Sequence, residues 1–232
     1  MLLAKELTSA RRFYPVLFTM VIVNLGIAVA APIAGKALAA TIDVLGFMIL
    51  MTSYTMMGFS VSSFAEDRQD GTMELLLTCP VSKGVVLLAK LTLGLLLAVP
   101  LALLPYALSA ALLLRVSPST VAGLAVGSIF ASVTASSVAL LLVVLVKRTE
   151  VGVYLGFVIT WIICYTPDYV LRIPVLKFLL PAFYIRNLFV SMASPTAIPI
   201  ATNLLVLAVV SCLYLALAAR IMEKEDAILT AV

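Results

Sequence analysis

The residues best placed to do chemistry lie together in positions 66–83, EDRQDGTMELLLTCPVSK. Four of the 11 acidic residues, Glu66, Asp67, Asp70 and Glu74, fall there, in a chain that is 64% hydrophobic and 11% charged. Long apolar runs flank the segment on both sides. Charge gathered this way predicts a hairpin that lies in water and meets another molecule, so the chemistry is docking rather than catalysis. Asp70 or Thr72 can cap a short helix beginning near Met73, with Gly71 tolerated at its start. Glu74 in the first turn meets the positive end of the helix dipole. Met73, Leu76 and Leu77 then share one face. Thr78, Cys79 and Pro80 stop the helix, and Ser82 can cap the next one. A helix of under two turns is unstable alone and needs packing to persist. Its apolar ridge, flanked by Glu66, Asp67, Arg68 and Asp70, suits a groove on a soluble partner. The same pattern also fits a lipid-facing linker with no partner.

Composition narrows the remaining chemistry. A mean hydropathy of +1.22 over 232 residues excludes a soluble domain and predicts a polytopic membrane protein. The net charge of +4 does not point to nucleic acid, because Lys and Arg sit at the ends of apolar runs, where anionic lipid headgroups meet them. There is no histidine, which removes His-based metal sites, zinc proteases of the HExxH type and Ser-His dyads. Cys79, Cys164 and Cys212 form no CxxC, and a disulfide framework is not expected.

The elements that must hold the hairpin are apolar helices. Residues 1–12 have helical spacing of Leu3, Leu7 and Ala10 and predict an interfacial helix, the alternative being a frayed basic terminus. Residues 13–34 form a first span. Their apolar run exceeds the ~7–15 residues of a signal-peptide core, so a retained anchor is expected. The second span runs about 41–64 and is rich in Ser, Thr and Met. Such a span faces protein or a water-filled path, or its hydroxyls bond back to their own turn. Residues 84–114 make a third span, with a kink expected near 99–106 from Pro100 and Pro105. Lys90, two turns inside it, is expected to snorkel to the surface. Residues 119–146 form the fourth span, where Gly123, Gly127, Ala131 and Ala135 fall four apart and let a neighbouring helix approach. The fifth span runs about 151–166. Residues 167–195 carry four prolines and no long apolar run, which suits short half-inserted helices better than a span. The sixth span runs 196–219, and Arg220, Glu223, Lys224, Glu225 and Asp226 follow in water.

The fold class is therefore an all-α polytopic membrane protein of six transmembrane helices, a single domain over 1–232. With the N-terminus inside, inner segments hold 10 of the 15 basic residues. The positive-inside bias then places both termini and the hairpin in the cytoplasm of a cell-membrane protein.

The hairpin resembles a known family. Glu66–Asp67–Arg68, Gly71–Thr72–Met73–Glu74–Leu75–Leu76, Thr78–Cys79–Pro80–Val81–Ser82 and Lys90 look like the signature E-x-[RK]-x-x-G-T-x-E-x-L-L-x-[ST]-P-V-S…K of ABC-2 type transporter permeases. Cys79 stands where Ser is commoner, and Thr78 is an extra residue before it. Residues 180–188, LPAFYIRNL, resemble the P-x-x-Y-x-x-x-x-[LF] stretch before the last span. The resemblance implies that 66–83 is a coupling helix between spans two and three and that 167–195 holds outer re-entrant helices. It implies partners as well: two cytoplasmic ATP-binding subunits carrying ATP and Mg, and a second permease, either a copy or a related chain. It places spans two and five along the transport path. Tyr54, Met57, Phe59, Tyr154, Phe157 and Trp161 then line it, or serve plain packing.

This chain has no GxxxxGK[ST] loop, so no ATP-binding motif or cofactor is expected in it, and it is not expected to be an enzyme. An exporter is the expected class, by family habit. A permease for cytochrome c maturation, a haem-export-like system, is the alternative of similar length. An ion-coupled secondary transporter fits less well, because no span has an acidic residue near its centre. An intramembrane aspartyl enzyme fits least, since Asp43 and Asp168 belong to outer ends.

Overall fold

A computed structural model describes residues 22–23, 25–26, 29–30, 37–72, 82–146, 149–164, 180–193 and 197–229. Most of the first span, the interfacial helix at 1–12, the hairpin tip at 73–81 and residues 165–179 lie outside the described residues. The described elements are all helical: α1 Ala37–Gln69, α2 Lys83–Ala98, a π-helical turn Val99–Leu103, α3 Leu104–Leu112, α4 Pro118–Leu145, α5 Thr149–Cys164, α6 Pro181–Ala193 and α7 Ala197–Leu229. Among the described residues, three helices are long and apolar enough to cross a membrane: Lys83–Leu112, Pro118–Leu145 and Ile200–Lys224.

Local chemistry explains the boundaries. α4 starts with Pro118 at its first position, and the Ser117 hydroxyl accepts from the Thr120 amide. The kink expected from Pro100 is the π turn, in which the Leu104 amide reaches back to the Val99 carbonyl. Proline has no N–H and clashes with the carbonyl four residues back, and the wider turn absorbs both defects. Ser82 stands at the start of α2 as expected, but its side chain makes no capping bond. α7 runs ten residues beyond the expected end, because no Gly or Pro interrupts Arg220 to Leu229 and those residues favour helix.

α1 and α4 form the centre. α1 packs on α2, α3, α4 and α5, and α4 also packs on α5, α6 and α7. The hydroxyls of α1 face protein: Thr52, Ser53, Thr55, Ser60 and Ser63 are all buried. Back-bonding is real too, since Thr52 donates to the Met48 carbonyl. Across the seam, Ser53 and Ser132 of α4 share a hydrogen bond of 3.1 Å. On the other side of α4, Thr134 and Ser211 of α7 share one of 2.9 Å.

The small-residue stripe on α4 is only partly a contact. Gly127, Ala131 and Ala135 are buried, but a Cβ on Gly123 would meet nothing within 4 Å. The tightest approach is at Gly94 of α2, where a Cβ would lie 2.6 Å from the Met56 carbonyl oxygen and would also collide with Ser60 Oγ.

Candidate partner-docking site

The base of the hairpin is built by the last turn of α1 and the first two turns of α2. Here the structure corrects the sequence reading twice. Glu66, Asp67 and Arg68 are not loop residues; they continue α1, which ends only at Gln69, with Asp67 buried and Glu66 and Arg68 half-buried. Nothing before Gly71 breaks a helix. The Asp70 amide bonds to the Glu66 carbonyl, and Gly71 adopts φ +69°, the left-handed conformation that closes helices at glycine.

Second, Lys90 does not snorkel. It is fully buried, and Asp67 is buried with it. The ammonium donates to Asp67 Oδ2, to Ser63 Oγ at 2.8 Å and to the Ser63 carbonyl at 3.2 Å. Three donors meet three acceptors on α1, so the charge is satisfied without reaching the surface. A cation at this depth persists only when so paired.

The next residue turns the other way. Arg68 Nη1 donates to the Val146 carbonyl at 3.1 Å and the Val143 carbonyl at 3.5 Å, at the C-terminus of α4. They belong to the last turn of the helix, where a positive charge complements the helix dipole. Thr72, one of the two expected caps, bonds back to α1: its hydroxyl lies 3.3 Å from the Asp67 carbonyl and 3.4 Å from Asp67 Oδ1, while the helix it would cap lies outside the described residues. Asp70 and Gly71 are exposed. Met73, Glu74, Leu76, Leu77 and Pro80 lie outside the described residues.

A family model for the ABC-2 family transporter protein matches residues 9–220. The chain belongs to that family. No curated protein matches it. As an ABC-2 transporter protein it is an integral membrane permease subunit of an ABC transporter, and such permeases pair with ATP-binding subunits. Both the match and the apolar helices α2–α3, α4 and α7 agree with that placement.

The expected path residues of this ABC-2 protein divide by environment. Tyr54 and Tyr154 are exposed, at 48% and 75%, whereas Met57 and Phe59 are buried. Phe157 and Trp161 belong to α5, and their side chains lie outside the described residues. Cys164 is buried and Cys212 exposed, both as free thiols. Sequence reasoning missed the partners of Lys90. The signal was partial: Lys90 stands in the signature but Asp67 falls on one of its unspecified positions, and a basic residue near a span end has a cheaper default in snorkelling. It also missed three buried hydroxyls without hydrogen-bond partners among the described residues, on Ser60, Ser136 and Thr160.

Proposed function

We propose that this chain is the six-span permease of an ATP-driven exporter, with both termini and the 66–83 hairpin in the cytoplasm. The observation that carries this reading is the base of the hairpin: consecutive residues Asp67 and Arg68 tie α1 to α2 and to α4. A hairpin rooted so firmly in three helices is suited to receive force. The hairpin docks in a groove of an ATP-binding subunit through Met73, Leu76 and Leu77, with Glu74 at the start of the docking helix. Two such subunits bind ATP and Mg and carry out hydrolysis. This chain lacks a phosphate-binding loop and contributes no catalytic residue. A second permease, a copy or a related chain, completes the transport path at their seam, with Tyr54 and Tyr154 directed to it. Residues 167–195 close the outer side as re-entrant helices. Closure of the motor pushes the hairpin as a rigid body and opens that path.

Glu74→Lys tests the docking step, because it sets a positive charge against the positive end of the helix. The variant should reach the membrane at the normal level yet fail to co-purify with the ATP-binding subunit. Normal recovery of the complex would rule out the hairpin as the docking site.

A further inference from the structure

We infer that Asp67, Lys90 and Arg68 act as a transmission clamp, positioning residues that make the inner ends of α1, α2 and α4 move as one body; this rests on the hairpin being the docking site. Lys90 donates to both Ser63 oxygens and to Asp67, all on α1. Those bonds fix both the height and the rotation of α2 against α1. Thr72, just past the turn, bonds the same aspartate and so joins the start of the docking segment to the clamp. Arg68 holds the end of α4 through two carbonyls. A displacement at the hairpin therefore reaches three helices through directed bonds.

In the outer halves, hydroxyls donate to carbonyls. There the hydroxyls of Thr52, Ser128 and Ser132 are bonded within their own helices. Ser53 and Ser132 share a hydrogen bond between α1 and α4 above the clamp. The π turn interrupts the regular ladder between α2 and α3. Rigid inner ends joined to looser outer ends turn a push from below into a parting above.

The test uses the permease with its ATP-binding subunit in proteoliposomes. Spin labels are placed at Leu112→Cys and Leu205→Cys, both exposed at the outer halves of α3 and α7, after replacement of the three native cysteines. The readouts are recovery of the complex, ATP hydrolysis and the ATP-dependent change in label distance. Asp67→Asn with Lys90→Met removes both charges together and leaves no unpaired ion. This double variant should keep the motor bound and hydrolysing, while the conformational equilibrium responds to ATP roughly 5-fold less or weaker still. Arg68→Gln alters a half-buried group and serves where the double variant fails to fold; it should shrink the distance change without loss of the complex. Lys90→Arg, which keeps the charge, should retain more of the change than the neutral pair. An undiminished distance change in the neutral pair or in Arg68→Gln overturns the clamp. Loss of the motor from either variant also overturns it, because the residues would then serve docking. Failure of the docking reading is seen separately, in Glu74→Lys.

Discussion

Gly94→Ala is the sharpest test of how α1 and α2 meet. The added Cβ would sit 2.6 Å from the Met56 carbonyl oxygen and against Ser60 Oγ. Ser60 can rotate, but the carbonyl belongs to the backbone of α1 and moves only with the helix. Reaching the ~3.3 Å of a close carbon–oxygen contact requires the helices to part by about 0.7 Å. A gap of that size forfeits roughly a quarter to a half of the dispersion energy along the contact. Overpacking of this kind costs about 1–3 kcal/mol, more than the ~0.5–1 kcal/mol that alanine returns to a helix. Thermal unfolding of the purified permease in detergent measures the difference. At about 2–4 °C per kcal/mol for a chain of this size, Gly94→Ala should lower the Tm by several degrees. Gly123→Ala is the matched control: a Cβ there meets nothing, so its Tm should hold or rise. An unchanged Tm for Gly94→Ala would refute the close approach.

Lys90→Met takes the ammonium from a buried aspartate, at a cost of about 3–5 kcal/mol. Adding Asp67→Asn should recover most of that loss, and a double-mutant cycle on Tm reads the coupling. Gly71→Val forces a branched residue into φ +69°, at a cost of about 1–2 kcal/mol that a lowered Tm should show, while Gly71→Asn should be tolerated. A charged maleimide should modify Cys79 in inside-out vesicles and not in right-side-out ones, while Cys164, which is buried, and Cys212, midway along the apolar helix α7, stay unmodified; peptide mass analysis reads all three.

Much of the architecture was legible because a membrane leaves few options. Apolar runs must be helices, since no other element satisfies its own backbone in hydrocarbon. Pro100 announced the distortion at 99–103. What sequence hid were pairings across helices. Lys90 read alone is a surface-seeking cation, and only the register of α2 on α1 brings Ser63 and Asp67 to it. Arg68 likewise reads as a loop charge until α4 is seen to end beside it. Gly94 carried no mark distinguishing it from Gly123, although one is the tightest contact and the other has open space. Periodicity assigns a residue to a helix face; it does not say which neighbour that face meets.

The choice of charge at the base of the hairpin is better explained by stiffness than by stability. A buried ion pair gains little over a well-packed apolar pair, and replacing both members often costs nothing. An apolar contact, however, has no direction, and two helices joined by one can shift against each other with modest loss. Lys90 has less freedom, because a slide of α2 along α1 strains its bonds to Ser63 and Asp67 inside a buried site, where an unmet charge is expensive. Higher in the bundle the logic reverses. Ser128, Ser132 and Ser211 keep their bonds to their own helices whether or not the helices part. Separation there gives up the cross-bonds Ser53–Ser132 and Thr134–Ser211 and some apolar contact. On the proposed docking, the same bundle is hard to shear where the motor would push and easier to part where the proposed path would open.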